Sequence, residues 1–160
     1  MALTLPSETI TLEAATAIAK ATLAHGRAQK MNPLAVAVLD PRGALKAYLA
    51  DDGTSLLRLD IAFGKAWGTL GMGFGGREFA RRTAKAPAFM NALMAASDGR
   101  IVPAQGGLLI RNAAGQIVGA IGVTGDTSEN DETCAVAAIR KVGLVPDTRY
   151  TWTGSPGWYS

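Results

Sequence analysis

The segment Leu34-Ala-Val-Ala-Val-Leu39 is apolar at every position. A strand of that kind shows apolar side chains on both faces of its sheet, so a layer must cover each face. It runs into Asp40-Pro-Arg-Gly43 and then Ala44-Leu-Lys-Ala-Tyr-Leu49. A Pro/Gly turn between two β-type runs reads as a hairpin. A second hairpin is expected from residues 107–111, the turn Asn112-Ala-Ala-Gly115 and residues 116–124.

Helical spacing fills the intervals. Leu12, Ala15, Ala19, Thr22 and Leu23 predict a helix over residues 12–27. Thr11 is its expected N-cap, Glu13 favours the positive end of its dipole, and Gly26 is its expected stop. Asp51-Asp-Gly-Thr54 is a break with a cap. Leu56, Leu59, Phe63, Ala66, Trp67 and Leu70 then predict a second helix. Leu57 and Ile61 lie on another side of it, so it should be buried on more than one side. Gly71-Met-Gly-Phe-Gly-Gly76 ends it, short helices broken at Pro87 follow over residues 77–95, and residues 97–105 read as a loop. Ser128 and Asp131 form an S-x-x-D capping box that opens a third long helix. Ala135, Ala138, Ile139 and Val142 are its stripe and Gly143 its stop. This order of elements predicts an antiparallel sheet in an α+β domain, where a Rossmann fold would alternate strands with crossover helices.

The 160 residues fit one domain, expected over residues 1–146, with an aromatic tail over residues 147–160. Tyr150, Trp152, Trp158 and Tyr159 should pack that tail on the domain or on a neighbouring subunit. Apolar residues make up 48% and charged residues 18%, which excludes a disordered chain. One cysteine and one histidine exclude a disulfide framework, a multi-cysteine zinc site and a His-rich metal site. The net charge of +3 is mild. Its one cluster, Arg77, Arg81, Arg82 and Lys85, holds only Phe79 among aromatics, so no nucleic-acid partner is expected. The first twenty residues lack a basic start followed by an apolar run, and no apolar stretch nears the ~20 residues of a membrane span. A cytoplasmic chain with no membrane partner is expected, and the lone Cys134 fits a reducing compartment.

Several residues could carry chemistry. Lys65 stands in an otherwise apolar helix, where it either snorkels to solvent or faces a pocket and binds a carboxylate. Asp131 and Glu132 open a helix, either as cap and dipole partners or with one acid facing a site. Gly106-Gly107 and Gly119-Ala-Ile-Gly-Val-Thr-Gly125 are either tight strand ends or exposed backbone amides. The glycine series 71–76 follows a helix rather than a strand, which is the wrong setting for a dinucleotide loop. His25 is either a helix-end residue or an axial ligand to haem iron.

Val36-Ala-Val-Leu-Asp40-x-x-Gly43, Asp52-Gly53 with Ile61-Ala-x-x-Lys65-Ala66, Gly106-Gly107 before Ile110, Gly119-Ala-Ile-Gly-Val-Thr-Gly125 and Asp131-Glu132 occur in that order. Together they resemble the GlcG/HbpS-like haem-binding family, which is similar to the C-terminal domain of PduO-type corrinoid adenosyltransferases. The resemblance spans residues 8–143. It implies a profilin-like fold, a five-stranded antiparallel sheet with helices on both faces, and homo-oligomers of two subunits or more.

Three functional readings follow. In the first, the chain is a small-ligand-binding protein with an accessory or sensing role, and haem b or another tetrapyrrole is the leading ligand. His25 then holds the iron, and Lys65, Gly106, Gly107, Gly122 and Gly125 complete the ligand site. In the second, it is a cofactor-independent isomerase, tautomerase or hydratase/lyase acting on a small organic acid in catabolism. Lys65 then holds the carboxylate, Glu132 or Asp131 is the base, and backbone amides at the glycines steady an enolate. In the third, the glycines and the aromatic tail serve assembly.

Overall fold

The computed structural model describes residue 3 and residues 7–149. The elements run α1 (Leu12–Ala28), β1 (Ala35–Leu39), β2 (Leu45–Ala50), α2 (Arg58–Met72), α3 (Gly76–Lys85), α4 (Pro87–Ala96), β3 (Gly107–Arg111), β4 (Ile117–Thr124), α5 (Ser128–Lys141) and β5 (Val145–Asp147). The strands form one open antiparallel sheet in the order β2-β1-β4-β3-β5.

Both hairpins lie where the sequence puts them, and β1 is buried along its whole length. Its alternate side chains enter different cores. Val36 and Val38 pack with Ile18, Leu23, Ala135 and Ile139 under α1 and α5. Leu39, with Leu109 and Ala120, packs with Ala66, Phe63 and Trp67 of α2 on the other face. A third cluster, Phe74, Phe79, Met90 and Ile101, joins α3 and α4 to Trp67. The sheet therefore carries helices on both faces, as the family resemblance implied.

The structure corrects several boundaries. Thr11 does cap α1, accepting a hydrogen bond from Ala14 N at 3.1 Å. Gly26 is not the stop, because α1 continues to Ala28. A Cβ at Gly26 would come within 2.5 Å of Leu34 Cδ1, so the glycine admits close packing instead. No side chain caps α2, which starts at Arg58, beyond Thr54. Leu56 and Leu59 of its expected stripe are exposed, and so is Leu57, expected on another buried side. Thr127 rather than Ser128 caps α5, accepting from Asn130 N at 3.3 Å. Asp131 is withdrawn from that cap by partners described below.

β5 has no counterpart among the runs read from the sequence, and it crosses the expected domain boundary after residue 146. Tyr150, Trp152, Trp158 and Tyr159 lie outside the described residues. Asp147 anchors β5. It accepts from Arg111 Nε at 2.7 Å and from Arg149 Nη2 at 2.6 Å. Burial pushes the Asp147 carboxyl up, but the hydrogen bonds from Arg149 and Arg111 outweigh it and take the pKa down to about 2. A carboxyl with a lowered folded-state pKa stabilises the fold fully above its ordinary range, and that stabilisation fades as pH falls through the lowered value. Asp147→Asn should therefore cost about 2 kcal/mol at neutral pH. Urea unfolding should show the gap from the parent closing as the pH drops from about 4 to about 2.

Candidate functional site

Glycines in β3 and β4 let the backbone of α2 rest directly on the sheet. A Cβ at Gly122 of β4 would overlap the Ala62 carbonyl oxygen, and one at Gly107 would lie 2.6 Å from the Lys65 carbonyl oxygen. This close approach places the Lys65 side chain beside the start of β3. Its Nζ donates to the Val123 carbonyl at 2.8 Å and to Asp131 Oδ2 at 3.1 Å. Asp131 Oδ1 accepts from Asp126 N at 3.0 Å. Gly106, at φ +97°, lies against the pair, and a Cβ there would come within 3.0 Å of Lys65 Nζ.

Lys65 and Asp131 are 4% and 1% exposed, so they form a buried ion pair. Burial lowers the Lys65 pKa and raises that of Asp131, and each charge opposes the shift of the other. Lys65 therefore does not snorkel. It ties the helix on one face of the sheet to the helix on the other, with its charge neutralised inside the fold.

Glu132, the next residue, turns elsewhere. Its Oε2 accepts from Gln105 Nε2 at 3.2 Å, and its Oε1 pairs with Arg77 Nε at 2.5 Å. That ion pair supplies no well-directed hydrogen bond to the buried Oε1. Glu132 lines a groove of about 360 Å³ with Arg77, Thr133, Val136, Ala137, Arg140 and Thr148. The sequence reading assigned no site to Arg140. The signal was available, since Thr133, Val136, Ala137 and Arg140 fall at i, i+3, i+4 and i+7 on one helix face.

His25 lies apart. It is half-buried on α1 and lines a groove of about 230 Å³ with Ala21, Ala24, Ala137, Ala138 and Lys141. Its imidazole has no hydrogen-bond or ion-pair partner among the described residues. A haem would find a free nitrogen ligand there, a floor of methyl groups, and the Lys141 ammonium at the rim for a propionate. The residues present fit the group. The volume falls below the ~300–1,000 Å³ usual for ligand sites, so this groove covers only part of a porphyrin.

The structure thus brings Lys65, Asp131 and Gly106 together and leaves His25 on the outer side of α1 and α5. Gly107 and Gly122 seat α2 on the sheet, and Gly125 packs against Pro33 and Leu34. Among the described residues no cluster of His, Cys, Asp and Glu could hold a metal ion, and no helix is long and apolar enough to cross a membrane.

A five-stranded antiparallel sheet covered on both faces, with two grooves along α5, defines a small open-sheet α+β domain. The chain belongs to the HbpS-like family: residues 10–140 match the family model described as haem degrading protein HbpS-like. No curated protein matches the sequence significantly. The crystal structure of HbpS is 28% identical and superposes with a TM-score of 0.74, covering 88% of this chain and 95% of that one. The Klebsiella pneumoniae protein ORFY is 26% identical, with a TM-score of 0.78 over 88% of this chain and 94% of its own. A PduOC:heme complex is 20% identical, with a TM-score of 0.76 over 85% and 96%, a likeness of fold alone.

Proposed function

We propose that the chain is a cytoplasmic haem-binding protein of accessory or sensing role, with His25 as the axial iron ligand in the α1/α5 groove. Membership of a family described by haem degradation supports the ligand class. The observation that carries the site is the His25 imidazole, unpaired and half-buried above Ala21, Ala24, Ala137 and Ala138. Bound haem supplies a redox-active iron and a Soret chromophore. His25 would hold the iron, the alanines of the groove would contact the ring edge, and Lys141 would neutralise a propionate. A groove of about 230 Å³ would cover only part of the ring, and a second subunit would cover the rest, in line with a homo-oligomer.

The reading as an enzyme on a small organic acid draws less support. Lys65 and Asp131 are bonded to each other in the interior, which leaves neither poised toward a substrate.

Hemin titration tests the proposal. The expected result is a saturable Soret shift at one haem per subunit or per dimer. His25→Ala should move the Soret band and weaken binding at least ~tenfold, or about 1.4 kcal/mol. An unsaturable change in the parent, or unchanged affinity and spectrum in His25→Ala, would overturn it.

A further inference from the structure

We propose that the aromatic segment 150–160 docks on α4 of its own chain and covers it. Those residues lie outside the described ones, and α4 is the surface that calls for them. The helix reads Pro-Ala-Phe-Met-Asn-Ala-Leu-Met-Ala-Ala and has no charged side chain. A helix without a polar face belongs in an interior, yet only Met90 of α4 is buried. Met90 packs with Phe74, Phe79 and Ile101, and Leu93 is partly buried against them. The outward face is Ala88, Ala92 and Ala95, spaced i, i+4 and i+7. Ala96 and Phe89 flank it, and Phe89 is 52% exposed. Such a surface asks for an apolar cover.

Position, reach and chemistry select the occupant. A Cβ at Gly75 would stand 3.5 Å from the Asp147 carbonyl oxygen, so β5 ends at the foot of α3. Phe74, the residue before Gly75, belongs to the same apolar cluster as Met90 of α4. Residues 150–160 therefore start close to α4. Extended, they reach about 36–40 Å, while α4 is only about 15 Å long. The segment Tyr-Thr-Trp-Thr-Gly-Ser-Pro-Gly-Trp-Tyr-Ser has no charged side chain either, so docking strands no charge. The rings of Tyr150, Trp152, Trp158 and Tyr159 supply broad apolar area, and the alanines of α4 let rings approach closely. Arg81 and Arg82 of the neighbouring α3 are already paired with Glu78, so nothing there asks for an acidic partner instead. α4 shares no residue with the His25 groove, so haem binding and tail docking are tested separately.

The test is tryptophan emission of the full chain. Trp67, which Arg100 covers, is the only tryptophan outside the tail. A variant with Trp152→Phe and Trp158→Phe keeps Trp67 alone, and subtracting its spectrum isolates the tail pair. That pair should emit to the blue of free tryptophan in water, and acrylamide should quench it several-fold more slowly. Ala92→Glu puts a charge on the exposed face of α4 and leaves the core intact. It should shift the tail signal red to the free value and raise its quenching to match. Ala137→Glu, in the grooves along α5, should leave the signal unchanged, and so should dilution. A tail pair that behaves as free tryptophan in the parent, or that ignores Ala92→Glu, would overturn the proposal. Release by Ala137→Glu would overturn it in favour of α5, and release by dilution in favour of a second copy.

Discussion

Lys65→Met should destabilise the fold by about 3–5 kcal/mol at neutral pH, one of the largest effects of any single substitution in this chain. The substitution keeps the length and apolar stem of the side chain, so it leaves no cavity of consequence. What it removes is the charge facing Asp131, which is 1% exposed and pairs with Lys65 Nζ at 3.1 Å. It also strips the Val123 carbonyl of a donor. The loss has a signature in pH. Burial already raises the Asp131 pKa, and Lys65 is the chief influence holding it down. Without Lys65 that pKa rises further. A carboxyl whose folded-state pKa exceeds its unfolded value stabilises the fold below its ordinary range and loses that contribution as pH rises through the raised value. The variant should therefore approach the parent as pH is lowered from about 7 to about 4, measured by urea unfolding. A second variant, Lys65→Met with Asp131→Leu, should recover part of the loss by removing the stranded acid. A penalty below about 1 kcal/mol, or one that does not change with pH, would show that the pair contributes little.

Gly122→Ala should cost about 3 kcal/mol by a different route. Its Cβ would overlap the Ala62 carbonyl oxygen and lie 2.9 Å from Ala66 N, both backbone atoms of α2. The helix has no side chain to swing aside and must lift from the sheet, which also pulls Lys65 away from Asp131. The melting temperature should fall by roughly 6–12 °C for a chain of this size. Gly115→Ala is the control. Gly115 has φ +82° and open space around it, so its substitution should cost about 1 kcal/mol of backbone strain alone. Equal losses in the two variants would mean that the contact between α2 and β4 yields easily.

Much of the architecture was legible because its signals are local. The all-apolar run of β1, the Pro/Gly turn at residues 40–43 and the stripe on α5 can each be read within a few residues of one another. Short elements were not. β5 spans only Val145–Asp147 and includes a proline, too little for a period to register. The start of α2 was misplaced because its leucines look like a buried stripe, yet Leu56 is 95% exposed. The site was legible only as single residues. Lys65 stood out as a lone charge among apolar neighbours, but its partner lies 66 positions away and no spacing rule reaches that far. Asp131 looked like a capping acid, since a carboxylate three residues into a helix has that role by default. The Glu132–Arg77 contact joins α5 to α3, an encounter that depends on how both helices lie on the sheet.

The strand order has a consequence for the newborn chain. β1 sits between β2, its immediate successor, and β4, to which Ala35 pairs through Thr124. At ~5–20 residues per second of synthesis, the first hairpin waits several seconds for that neighbour. During this interval the most apolar strand of the protein presents one unpaired edge. Translation speed across α3 and α4 thus sets how long that edge stays open, and a ribosome paused before β4 offers it to the strands of adjacent nascent chains.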